Sequence, residues 1–296
     1  ADLSNSDKTD GFLKKTHAFT KGDFSGAFFQ AGVAELTMAC CCIGMALHGG
    51  VIPACGTFFV FSDYMKPAVR MAALMELPVK FIWTHDAFRV GEDGPTHEPV
   101  EQESQIRLME KLKNHHGKPS VLVLRPADAK ETTEAWKLAM DNMSTPTALI
   151  LSRQGIANLP EGNDYSLAAK GGYIVGGSDE NPDIILVATG SEVSTLVAGA
   201  ELLRKEGVKV RIVSVPSEGL FRLQSKEYQL SVLPHEVKKF GLTAGLPVNL
   251  LGLVPEAEGN IWGLESFGFS APYKVLDEKL GYTAENVYKQ VKAILR

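Results

Sequence analysis

The stretch "DIILVATGSEVSTLVAGAELLRKEGVKVRIVSVP", residues 183–216, decides the fold class. It opens as an apolar strand that runs into a helix, with Ser191 placed as a candidate N-cap. The helix portion "STLVAGAELLRKEG" ends in Arg, Lys and a Gly at the C′ position, as helix C-termini do. "VKVRIVSVP" is then the next strand. Strand, helix and strand at this spacing form a βαβ unit, right-handed by default, which requires a parallel pair.

Working outward, the tail "TAENVYKQVKAIL" is an amphipathic helix capped by Thr283. Upstream, residues 156–182 are dense in Gly, Asn and Pro and read as a linker ending in a hairpin or edge strand. The first half repeats the alternation. Val79–Trp83, Ser120–Leu124 and Thr147–Leu151 are short and uniformly apolar, as parallel strands covered on both faces are. "DAKETTEAWKLAMDNM" is an amphipathic helix with Asp128 as N-cap and Glu131 three residues on. "GVAELTMACCCIGMAL" (32–47) is small and apolar all round, which predicts a buried helix; "MKPAVRMAALME" (65–76) predicts another, with Pro67 near its start. The expected architecture is α/β: two open, mostly parallel sheets flanked by helices, with domains over 1–155 and 183–296. Residues 1–11 read as the end of a preceding linker.

The 296 residues suit two domains of about 150 each. A net charge of −5 and a pI near 5.9 argue against a general nucleic-acid binder but leave small anionic substrates open. No stretch reaches the roughly 18–20 apolar residues of a membrane span. Three of the four cysteines are adjacent, Cys40, Cys41 and Cys42, with Cys55 apart. That pattern predicts reduced thiols in a cytoplasmic protein rather than a disulfide framework. The opening "ADLSNSDKT" lacks a Met and reads as the interior of a longer polypeptide or one half of a larger enzyme.

Four groups of residues carry the candidate chemistry. Glu35 is the only formally charged side chain between Phe24 and Ser62. Burying an unpaired carboxylate costs several kcal/mol, so the group needs a partner or a proton; a core or subunit-interface acid and a ligand to a cofactor nitrogen both answer that need. In "CGTFFVFSDY" (55–64), Phe58, Phe61 and Tyr64 recur every third residue, either as a core stripe or as a flat wall for a planar heterocycle. "THDAFRVGEDGPTHEP" (84–99) places His85, Asp86, Glu92, Asp93 and His97 on a Gly-Pro-stiffened loop after a buried strand, the default place for function in open α/β sheets. Hydrogen bonding to a polyhydroxylated substrate, a metal site and a polar surface loop all fit such a set; the His spacing lacks the i,i+4 of a helical zinc pair. Arg125 and Arg153 end two strands, where a guanidinium can grip a carboxylate or phosphate, or pair with a loop acid.

Taken together, these residues resemble the transketolase family. "THDAFRVGEDGPTHEPVEQ" is similar to its signature loop and "CGTFFVFSDY" to its aromatic pocket; "RPADAKE", "ALILSRQ", "KGGYIV" and "PDIILVATGSEV" follow in family order. The likeness covers nearly the whole chain but only two of the family's domains, the thiamine-diphosphate pyrimidine-binding domain and the transketolase C-terminal domain. It implies thiamine diphosphate chemistry that moves a two-carbon ketol unit between ketose and aldose phosphates. By that resemblance Glu35 protonates the aminopyrimidine ring nitrogen, Phe58, Phe61 and Tyr64 hold the ring, and Asp2 reaches the cofactor. His85 and His97 bind the substrate carbonyl and hydroxyls and shuttle protons, Asp93 reads a sugar hydroxyl, and Ser6 and Arg153 bind the phosphate. Two departures stand out. The family usually has Arg before and His after the Glu, where this chain has Ala34 and Leu36. The Gly-Asp-Gly and paired-Asn motif for the diphosphate and Mg²⁺ does not occur, so the metal ligands are expected on another domain or subunit, in a homodimer or with a separate diphosphate-binding chain. A natural split enzyme, a non-catalytic dimerising module and a related thiamine enzyme such as deoxyxylulose-phosphate synthase or dihydroxyacetone synthase are the rival expectations.

Overall fold

The structure, a computed structural model, describes residues 11–255 and 260–296. After a single turn, α1 (Leu13–Thr16), the first unit runs α2 (Glu35–His48), β1 (Ala54–Phe58), α3 (Ser62–Leu74), β2 (Lys80–Thr84), α4 (Gln102–Lys111), β3 (Leu122–Leu124), α5 (Ala129–Asp141) and β4 (Thr147–Ile150). Its four strands are all parallel, in the order β1-β2-β4-β3. Every residue of β2 and β4 is buried, as a sheet with helices on both faces requires.

The second unit contains β5 (Tyr173–Ile174), β6 (Ile184–Ala188), α6 (Glu192–Arg204), β7 (Val210–Ser214), α7 (Glu218–Arg222), α8 (Lys226–Val232), β8 (Lys238–Leu242), β9 (Ile261–Trp262), α9 (Tyr273–Leu280) and α10 (Ala284–Leu295). The order is β5-β7-β6-β8-β9, parallel except for the edge strand β5. The β6–α6–β7 unit is the one expected from residues 183–216, and the fold is α/β with two open, mostly parallel sheets.

Several local signals behave as physics demands. Asp128 Oδ1 accepts from Glu131 N at 2.8 Å and Thr283 Oγ1 from Asn286 N at 3.3 Å, so both caps hold. The 156–182 segment is packed: Leu159 N and Tyr165 Oη both donate to Asp128 Oδ2, at 2.9 and 2.7 Å. Three expectations need correction. Helix α2 is not buried all round. Glu35, Met38, Ala39, Cys42 and Ile43 are buried, while Leu36 and Leu47 are exposed, because nothing among the described residues covers the second apolar face. Pro67 is not near the start of its helix. The 3₁₀ turn Phe59–Phe61 carries the chain into α3 at Ser62, which leaves Pro67 in the helix interior. Ser191 stands at the N-cap position of α6 but caps nothing; its hydroxyl donates to Glu192 Oε1 at 2.8 Å instead.

The two units meet across a buried polar seam. Arg125, 1% exposed, donates from Nε and Nη2 to Asp86 Oδ2 at 3.1 and 2.7 Å, and from Nη1 to Glu192 Oε2 at 2.5 Å. Arg89 Nη1 donates to Glu192 Oε1 at 3.0 Å, and its Nε to Asp277 Oδ1 at 2.7 Å. Burial alone would raise the Glu192 carboxyl, but the Arg125 and Arg89 guanidiniums hold it below the usual range. Gly190 (φ +63°) makes the arrangement possible: a Cβ there would lie 2.7 Å from Arg125 Cζ. The Glu131 carboxylate also crosses the seam, accepting from Tyr173 Oη and Ser214 Oγ at 2.7 Å each.

Glu98 lies in the same seam with no cationic partner among the described residues. Neither of its carboxylate oxygens completes a hydrogen bond, and a Cβ on Gly268 would sit 1.6 Å from Oε2. Burial pushes this carboxyl up to about 7, against the pull of the Phe269 and Gly91 backbone amides.

Two outcomes follow from the seam. Arg125→Ala leaves Asp86 buried without its cation and Glu192 with only Arg89, and is expected to cost about 3–5 kcal/mol in denaturant unfolding. Glu98 keeps its proton in the folded state up to about pH 7, whereas the unfolded carboxyl loses it near its ordinary 4.5. Stability contributed at this site therefore falls as pH rises through that window. Thermal midpoints across it should show Glu98→Gln gaining on the parent chain as pH increases; parallel curves would contradict the assignment.

Candidate active site

The candidate residues collect at the C-terminal edge of the first sheet, where strand ends release their side chains. Phe58 closes β1 and pairs in register with Thr84, which closes β2; His85 is the next residue. Helix α2 precedes β1 through a short turn, with Cys42 Sγ 3.9 Å from Ala54 O. From that contact, seven residues back along the helix and four forward along the strand each cover about 10–13 Å. A helix that returns along its strand through so short a turn carries its Glu35 end toward the Phe58 end of β1.

The rings form one continuous group. Phe58 stacks on Phe61 (centroids 6.0 Å, 13°) and Phe61 on Tyr64 (6.0 Å, 27°). His85 lies flat on Phe58 at 3.5 Å, and His97 meets the Phe61 ring edge-on at 5.4 Å. Tyr64 is 62% exposed and Phe61 half-buried, while Phe58 is buried with the imidazole stacked on it. The third-residue spacing works because strand, 3₁₀ turn and helix follow one another here, and each step advances the chain without turning the aromatic side away.

Both histidines are oriented by the residue before them. His85 Nδ1 shares a hydrogen bond with Thr84 Oγ1, and His97 Nδ1 with Thr96 Oγ1, each at 2.9 Å. The doubled Thr-His in "THDAFRVGEDGPTHEP" is the signal for this pairing, and sequence reasoning passed over it. A bond at Nδ1 fixes the ring plane, and because a hydroxyl can donate or accept it is compatible with either tautomer. His85 also adopts φ +60°, a left-handed conformation that costs a non-glycine residue of order 1–3 kcal/mol. It is held there by Thr84 on one side and the Arg125-bound Asp86 on the other.

The remaining candidates distribute unevenly. Glu35 is buried at the first position of α2, and among the described residues its carboxylate has no hydrogen bond or ion pair. Asp93 and Glu92 are exposed at the tip of the loop. Arg153 is exposed beyond β4 and has no ion pair among the described residues. Arg125 resolves as the partner of a loop acid, not a ligand grip. Asp2 and Ser6 lie outside the described residues. No cluster of three His, Cys, Asp or Glu that could hold a metal occurs among the described residues, and no helix there is long and apolar enough to cross a membrane. All four cysteines are free thiols.

The pattern of the family described as "Transketolase, pyrimidine binding domain" matches residues 1–157, and that of the "Transketolase-like TK C-terminal domain" matches residues 171–283. The chain is 44% identical over its whole length to the transketolase of Bacillus subtilis and spans 43% of that relative's length. A transketolase structure from Pichia stipitis, solved as a complex with xylulose-5-phosphate, superimposes with a TM-score of 0.87 at 33% identity, over 99% of this chain and 42% of that one. A structure of a split-gene transketolase, an inactive beta4 tetramer, superimposes with a TM-score of 0.74 at 25% identity, over 100% of this chain and 90% of that one. With both of its units matched and in the family's order, the chain belongs to the transketolase family.

Proposed function

We propose that this chain supplies the pyrimidine-side half of a thiamine-diphosphate-dependent transketolase site, acting on sugar phosphates when joined to a diphosphate-binding module. The observation that carries this is the single aromatic group at the sheet edge, where two Thr-oriented histidines from opposite ends of one loop meet the Phe58–Phe61–Tyr64 ladder. The exposed Tyr64 and the half-buried Phe61 suit a planar heterocycle, and Glu35, buried and unpaired among the described residues, suits a carboxyl that shares a proton with a ring nitrogen. Thiamine diphosphate supplies a carbon nucleophile and an electron sink.

This chain's residues bind, orient and move protons around that chemistry. Phe58 is the floor that fixes the His85 ring; Phe61 and Tyr64 bear the heterocycle, and Asp2 is the other residue assigned to the cofactor. His85 and His97 hydrogen-bond the carbonyl and hydroxyls of the ketose and pass protons. Asp93 reads a hydroxyl from the loop tip. Arg153, exposed and without a carboxylate partner among the described residues, can engage a phosphate, and Ser6 is the other assigned phosphate ligand. The diphosphate and its Mg²⁺ are assigned to the other module. Exposed Val33 (86%), Leu36, Leu47 and Val51 form an apolar surface around α2 suited to the second subunit of a homodimer or to that module. The cytoplasm and its pentose phosphate pathway are the assigned setting.

A second reading, that this is one subunit of a split transketolase, is favoured by the 90% coverage of the split-gene chain. Both readings make the chain by itself half of a site. Calorimetry on the chain alone should find no micromolar binding of thiamine diphosphate with Mg²⁺. Addition of a diphosphate-binding module in trans should generate ketol transfer. In that assembly Glu35→Gln should lower turnover by about 10²–10⁴-fold with the circular dichroism unchanged; wild-type turnover would remove the proposed role.

A further inference from the structure

The loop 85–98 rests on the second domain through four separate contacts, and none of them belongs to the aromatic group. Phe88 is fully buried and packs on Tyr282 of the second domain, centroids 4.6 Å apart, within a hydrophobic cluster that also contains Ile184, Leu242 and Leu276. Arg89 binds Ser191, Glu192 and Asp277, all from the second domain. Ser270 Oγ donates to Glu92 O at 2.6 Å, and the Ser270 side chain and the backbone at Ala271 lie against Gly94 and Gly91. Glu98 lies against Gly268.

These contacts alternate with the candidate ligands. His85 precedes Phe88 and Arg89; Asp93 falls between the Glu92 and Gly94 contacts; His97 precedes Glu98. The strained backbone at His85 is held from the same side, because Asp86 is fixed by Arg125, which also binds Glu192. Within the first domain the loop contributes rings to the aromatic group but takes few fixed anchors from it.

We infer that the second domain is the positioning element of the substrate loop, and that Arg89 is the positioning residue through which Glu192 and Asp277 hold His85, Asp93 and His97 in register with the aromatic ladder. The loop's part in substrate binding rests on the function proposed above; its dependence on the second domain does not.

Hydrogen exchange and histidine NMR on the chain itself test this. In Arg89→Gln, amides of residues 85–98 should exchange at least about 10-fold faster, while those of β6, β7 and β8 keep their protection. The upfield ring-current shift of His85 beneath Phe58 should relax toward the free value, and Arg89→Lys should restore part of it. Should Arg89→Gln fail to fold, Asp277→Asn, at a partly exposed position that holds only one anchor, reads the same loop. Unchanged loop exchange and an unchanged His85 shift in the folded variants would overturn the inference. The ketol-transfer arm is separate. In the assembly with a diphosphate-binding module, Arg89→Gln should raise KM for the sugar phosphate and leave the affinity for thiamine diphosphate intact. A loosened loop with no change in KM would uphold the positioning role and count against the functional reading.

Discussion

The structure depends on one buried carboxylate. Glu192 is fully enclosed at the first position of α6, with the Arg89 guanidinium on one oxygen and that of Arg125 on the other. Either arginine alone in this seam would be a buried cation without enough anions, and the carboxylate alone would be forced to take a proton. With Asp86 and Asp277 the seam sets three carboxylates against two guanidiniums, each cation held between two of the acids, so the two domains can share a buried polar interface. Such networks contribute orientation more than net stability, since the desolvation they require offsets much of their attraction. Orientation is what a site assembled from two domains needs.

From that carboxylate the consequences run outward to chemistry. Arg125 fixes Asp86, and Asp86 adjoins His85, the residue with the left-handed backbone. Arg89 and Phe88 seat the middle of the loop in the second domain, where burying the phenyl ring contributes about 1.5–3 kcal/mol. The first sheet provides the ladder of Phe58, Phe61 and Tyr64. The loop brings imidazoles to it, and the second sheet sets where the loop lies. Asp93 and Arg153 stay exposed at the solvent edge.

Much of this was legible in the residues. The βαβ unit of 183–216, the caps at Asp128 and Thr283 and the short buried strands all follow local periods and capping chemistry. The placement of His85 after a buried strand was readable for the same reason: strand ends at one edge of a parallel sheet expose their successors together. The all-apolar pattern of α2 was read as complete burial because periodicity reports how much surface is apolar and not what covers it. Pro67 misled because a 3₁₀ turn had already begun the helix. The Thr partners of the two histidines were adjacent in sequence and still missed, since an i,i+1 side-chain bond has no periodic signature.

The sequence by itself determined the α/β class, the order of the elements, the aromatic spacing and the residues offered at the sheet edge, because each is set by contacts between near neighbours along the chain. Only the tertiary structure decided that Arg125 is a strut, that Arg89 reaches Asp277 across 188 residues and Glu192 across 103, and that Glu98 is shut away from water. The reason is electrostatic. Which carboxylate meets which guanidinium depends on where two domains carry them, and charge pairing has no period along the chain from which it could be read.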